Sequence, residues 1–128
     1  MSKKILIVED NFIIQMFLEE ILLGIGHEVL DSTDNGDDAL ALAKEHSPDV
    51  ILLDIGLSGG WNGIELAGII NEKYQIPFVF LTGNSDYATL EKAKSKGPIH
   101  IIKKPIDEDK LKMEFDIIVE KLDSLKIN

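Results

Sequence analysis

Four short apolar runs punctuate the chain: Ile5-Leu6-Ile7-Val8, Val50-Ile51-Leu52-Leu53, Phe78-Val79-Phe80-Leu81 and the weaker Ile99-His100-Ile101-Ile102. His27 to Leu30 gives a marginal fifth. The runs are continuous rather than alternating and rich in β-branched residues, which predicts strands covered on both faces, the habit of parallel sheets. Helical stripes lie between them. Ile14, Phe17, Leu18, Ile21, Leu22 and Ile25 form one, closed by Gly24 and Gly26. Leu66, Ala67, Ile70 and Tyr74 form another. Leu111, Phe115, Ile118, Leu122 and Leu125 recur at steps of four and three, the clearest amphipathic signal in the chain. Asp107 is placed to cap that helix, and Glu108 and Asp109 suit the positive end of its dipole. Weaker, more polar helices are expected near 39–44 and 86–94, with Asn35-Gly36 and Ser85-Asp86 supplying turn and cap chemistry before them. Strand then helix, five times over, predicts right-handed crossovers and an α/β fold with a doubly wound parallel sheet.

Composition narrows the reading. A chain of 128 residues is one domain by length, and 45% hydrophobic with 28% charged residues is an ordinary globular balance. The absence of cysteine excludes disulfides, thiolate metal sites and thiol catalysis. The net charge is −10, and all 13 basic residues are lysine, which disfavours direct contact with nucleic acid. No apolar stretch approaches the ~18 residues of a membrane span. The apolar run after Lys3-Lys4 ends at Glu9-Asp10, too short for a signal-peptide core. A soluble cytoplasmic protein is expected, one domain over 1–128 with no output domain. Residues 1–64 carry 3 lysines against 12 acidic residues, and the remainder 10 against 11. Solvated helix faces explain that asymmetry, and so do two faces with different partners.

In an open α/β sheet, ligands bind beyond the carboxyl ends of the strands. There the sequence places Glu9 and Asp10 after the first run, Asp54 after Val50–Leu53, Thr82 after Phe78–Leu81 and Lys103-Lys104-Pro105 after the last. Each has a plainer use: a carboxylate as a helix cap, a threonine in a turn, a lysine as solvated charge. Agreement at four strand ends favours a shared site. Three crowded carboxylates demand a cation, and an all-oxygen set suits Mg²⁺, which accepts phosphate as a further ligand. An aspartate beside such a cation can attack phosphorus, a reaction that asks for positioning and charge neutralisation.

The chain resembles a response-regulator receiver domain of two-component phosphorelays. Lys4-Ile5-Leu6-Ile7-Val8-Glu9-Asp10-Asn11, Pro48-Asp49-Val50-Ile51-Leu52-Leu53-Asp54, Leu81-Thr82-Gly83 and Lys104-Pro105 match its motifs in order. The resemblance implies a flavodoxin-like (βα)5 fold with strand order 2-1-3-4-5. It makes Asp54 the phosphorylated aspartate. Mg²⁺ would be bound by Glu9, Asp10, Asp54 and the backbone carbonyl of Gly56, with Thr82 and Lys104 on phosphoryl oxygens. It implies a histidine kinase or histidine phosphotransfer protein as donor, and a signalling domain rather than a turnover enzyme. Output would be a protein contact, with a homodimer through the fourth helix, fifth strand and fifth helix. Lys92, Lys94, Lys96, Lys103, Lys110 and Lys112 would make that face partly basic.

Three departures stand out. Ser58 occupies a position that is usually proline, the loop from Gly56 to Gly63 is about one residue longer than the common form, and Ile101 stands at the switch position, usually Tyr or Phe. Trp61 is expected to overlie Asp54, and His100 to be an ordinary surface or half-buried residue. Two rivals remain: a Mg²⁺-dependent aspartyl phosphatase or phosphotransferase on a small molecule, and a degenerate binding module that takes no phosphate. Adjacent Glu9-Asp10 argues against the first, and the full acidic, hydroxyl and lysine set against the second. A flavin-binding domain fits worse, because the first loop lacks a phosphate cradle.

Overall fold

Alternation along the central strands decides the architecture. Leu6, Val8, Ile51, Leu53, Phe78 and Phe80 are buried on one face of a sheet; Ile5, Ile7, Val50, Leu52, Val79 and Leu81 are buried on the other. The structure, a computed structural model, describes residues 2–56, 62–83 and 87–127. Its elements are β1 (Lys4–Val8), α1 (Phe12–Gly24), β2 (Glu28–Thr33), α2 (Gly36–His46) and β3 (Val50–Asp54). α3 (Gly63–Tyr74), β4 (Phe78–Thr82), α4 (Tyr87–Ser95), β5 (His100–Lys103) and α5 (Glu108–Ile127) follow. The strands form one parallel sheet in the order β2-β1-β3-β4-β5, the flavodoxin-like arrangement.

Leu18 and Leu22 of α1 and Leu111, Phe115, Ile118 and Leu122 of α5 cover one face. Ala39 and Ala43 of α2, Ile64, Leu66, Ala67 and Ile70 of α3 and Ala93 of α4 cover the other. Side-chain caps fix the helix starts. Asn11 Oδ1 accepts from the N–H groups of Ile13 and Ile14, Asn35 from Asp38 and Asn62 from Glu65. Asp107 accepts from Lys110 N–H at 2.7 Å, as its position suggested. At the far end of β1, the ammonium of Lys3, a residue only 1% exposed, lies 2.6 Å from Asp123 of α5. Beside it His27 Nδ1 accepts the Lys3 N–H at 3.0 Å, and the His27 ring packs on Phe115 with centroids 4.8 Å apart.

Several boundaries differ from the sequence reading. β2 runs on to Thr33 through Asp31 and Ser32, because an edge strand paired only with β1 tolerates polar residues. α2 extends over Gly36–His46, beyond the expected 39–44, and β5 starts at His100 rather than Ile99. Leu125 is 51% exposed, since α5 there outruns the sheet that the rest of its stripe covers. Ser58, Trp61, Ser85 and Asp86 lie outside the described residues. No helix among the described residues is long and apolar enough to cross a membrane.

Candidate functional site

Burial along β1 ends in a carboxylate rather than in solvent. Glu9 is 0% exposed, and its backbone N–H donates to Thr33 O at 2.9 Å, continuing the β1–β2 ladder. Glu9 Oε2 accepts the Asn11 N–H at 3.1 Å, and Oε1 lies 2.9 Å from Lys104 Nζ. Asn11 caps α1, so the neighbouring Asp10 is not consumed as a cap and stands exposed at the mouth of the site.

Asp54 closes β3 beside Leu81 of β4 and is 6% exposed. Its Oδ1 accepts the Gly56 N–H at 3.1 Å, and its Oδ2 lies 3.4 Å from Lys104 Nζ. One oxygen from each of Glu9, Asp10 and Asp54 can be chosen so that all lie within 4.8 Å of one another. Octahedral Mg²⁺ with oxygens at ~2.1 Å sets cis ligand pairs about 3.0 Å apart and trans pairs about 4.2 Å apart, so the three oxygens would draw together by up to roughly 1.8 Å in a pair to meet that geometry. The set is all oxygen, which also fits that ion.

Thr82, the last residue of β4, is 2% exposed, and its carbonyl accepts the Lys104 N–H at 2.8 Å. Lys104 follows β5 at a cis peptide to Pro105, and its side chain reaches across the strand tips to Glu9 and Asp54. Burial pushes the Glu9 carboxyl up to about 7; Asp54 adds to the rise, while Lys104 and the Asn11 N–H work against it. Burial also opposes the charge on Lys104, but Glu9 and Asp54 together outweigh it and raise its pKa. The site therefore gathers more negative charge than its one lysine balances.

The structure thus brings Glu9, Asp10, Asp54 and Lys104 together, with Thr82 at the adjoining strand tip. Ile101 is half-buried, packed against the core cluster that α2, α3 and α4 cover. His100 is half-buried on the opposite side; its Nε2 pairs with Glu114, and Lys121 Nζ lies 3.0 Å from its Nδ1. Lys96, directly after α4, reaches toward α3, where a Cβ on Gly68 would come within 3.7 Å of its Nζ.

Two contributors were not anticipated. Gln15 of α1 is 8% exposed, and its Nε2 donates to Glu9 O at 2.5 Å. A polar residue on the same helix face as Leu18 and Leu22 was the available signal. Gly63 begins α3 directly against the end of β3: a Cβ there would lie 2.2 Å from Asp54 O. A loop-closing glycine is legible in sequence, but its close contact is not.

The family model for the response regulator receiver domain matches residues 5–116. The transcriptional regulatory protein PdtaR of Mycobacterium tuberculosis is 33% identical over 103 residues, covering 80% of this chain and 50% of PdtaR. The phyllosphere-induced regulator PhyR of Methylorubrum extorquens is 32% identical over 107 residues, 82% of this chain and 39% of PhyR. The chain thus spans half or less of the length of these two relatives. The crystal structure of the signal receiver domain of a modulated diguanylate cyclase from Desulfovibrio desulfuricans superimposes with a TM-score of 0.85 at 31% identity. That match covers 96% of this chain and 98% of the other.

Proposed function

The chain belongs to the response regulator receiver domain family, and from that premise we propose that Asp54 accepts a phosphoryl group from a histidine kinase or histidine phosphotransfer protein, in a reaction dependent on Mg²⁺. The observation that carries this reading is the reach of Lys104, whose single ammonium spans Glu9 and Asp54 while Asp10 completes the acidic cluster. A carboxylate oxygen of Asp54 attacks phosphorus, an acyl phosphate forms, and the bond from phosphorus to the donor histidine breaks. Glu9, Asp10, Asp54 and the Gly56 carbonyl would hold Mg²⁺, which supplies charge neutralisation at the transferring group. Lys104 neutralises another phosphoryl oxygen, and the Thr82 hydroxyl donates to a third.

An apolar groove of Ile13, Ile14, Phe17, Leu18, Pro105 and Ile106 adjoins Lys104. Phe12 and Ile13 are 68% and 77% exposed beside it. That surface supports a protein as donor over a small molecule. The product signals through protein contacts in the cytoplasm. The proposed output face is α4-β5-α5, where Lys92, Lys94 and Lys103 are exposed, and a homodimer through it belongs to the same proposal.

Incubation with a small phosphodonor and Mg²⁺, read by intact mass, tests the reading. The wild type gains one phosphoryl group and Asp54→Asn gains none. Equal gain in both removes Asp54 from its role.

A further inference from the structure

Glu9 is held at four points, and one of them belongs to neither strand pairing, helix capping nor an ion pair. Its N–H, Oε2 and Oε1 engage Thr33 O, Asn11 N–H and Lys104 Nζ. Its carbonyl oxygen accepts from the side-chain amide of Gln15. Gln15 lies on the buried face of α1, one turn before Leu18, and lines the same surface hollow as Asp10, Thr33 and Asp38. An amide withdrawn from water there costs free energy unless it is bonded. The bond ties the helix to the peptide joining Glu9 to Asp10. That peptide is planar, so a donor that fixes the Glu9 carbonyl also fixes the Asp10 N–H and the direction in which Asp10 leaves the strand.

We infer that Gln15 is a positioning residue for the divalent-cation site, orienting the Glu9–Asp10 peptide so that both carboxylates face Asp54. The inference rests on the proposed metal-dependent function. Groups behind the ligands of a metal site commonly change its affinity tenfold or more when removed.

Gln15→Met keeps the length of the side chain and fills the same space without a donor. Isothermal titration with Mg²⁺ is expected to show a dissociation constant raised about tenfold or more over wild type. The Asp10 amide ¹⁵N resonance is expected to move upfield, because its carbonyl partner has lost a hydrogen bond. A purely structural role would lower the melting temperature while leaving that resonance and the Mg²⁺ affinity in place, and would overturn the inference. Should the variant not fold, Gln15→Asn, whose amide falls one methylene short of the Glu9 carbonyl, gives the second test: its Mg²⁺ dissociation constant is expected to rise over wild type, and an unchanged constant overturns the inference. A wild-type chain that binds no Mg²⁺ overturns the function and this inference together. Equal binding by wild type and Gln15→Met overturns the inference alone.

Discussion

Two titratable side chains at opposite ends of β1 pull stability in opposite directions as pH changes. Burial, with the positive charge of Lys3 nearby, lowers the pKa of His27 below its ordinary 6.5. The folded chain then binds fewer protons there than the unfolded one, so stability is lost as pH falls below that value and is intact above it. Glu9, raised from 4.5 to about 7, acts inversely: its ionisation penalises folding increasingly as pH rises through that interval. Comparison with His27→Asn isolates the histidine, since asparagine keeps an acceptor for the Lys3 N–H. Between pH 7.5 and 5.5, the melting temperature of wild type is expected to fall further than that of the variant. Parallel melting curves across that range would remove His27 from the account. None of this was legible in sequence, where His27 was only the edge of a weak strand; its ring contact with Phe115 joins segments far apart in the chain.

At the scale of elements, β3 and α3 meet in close contact beside the site. Gly63 N–H donates to Ile55 O at 2.9 Å, and the helix start presses on the backbone that carries Asp54. Gly63→Ala forces a methyl to within 2.2 Å of a backbone oxygen that cannot swing aside. A cost of about 1–3 kcal/mol is expected, read as a lowered urea midpoint, with slower phosphorylation because the Asp54 peptide must shift. A midpoint equal to wild type would show that the loop relaxes freely. β1, β3 and β4 were legible as unbroken apolar runs because helices cover both faces of each. β2 was legible only in part, as its lone strand neighbour leaves Asp31 exposed and Ser32 half-buried. The strand-end carboxylates were legible because their chemistry is in their side chains. Gln15 was not, because its partner is a backbone atom that no residue pattern reveals.

For the molecule as a whole, the site concentrates negative charge in a chain already at −10. On the proposed reading, a divalent cation relieves that excess and stabilises the fold by mass action. At a hundredfold excess over its dissociation constant, Mg²⁺ is expected to contribute about 2.7 kcal/mol. For a domain of this size that corresponds to a melting temperature higher by roughly 10 °C, reversed by chelation. An unchanged melting temperature at saturating Mg²⁺ would contradict the proposed metal site. The two-sided core would spread the effect, since β1 leads into Glu9 and Asp10, β3 ends in Asp54, and both strands run through the centre of both apolar clusters.

The pairing of Lys3 with Asp123 bears on how this domain can be cut and grafted. The stretch matched by the family model stops at residue 116, yet Ile118, Leu122 and the carboxylate partner of Lys3 all come later. A fragment trimmed at 116 would strip two side chains from beneath the sheet, remove the counter-charge of Lys3 and open its buried ammonium to water. Chimeras and minimal expression fragments therefore need the whole of α5, or a neutral residue in place of Lys3, before their behaviour says anything about signalling.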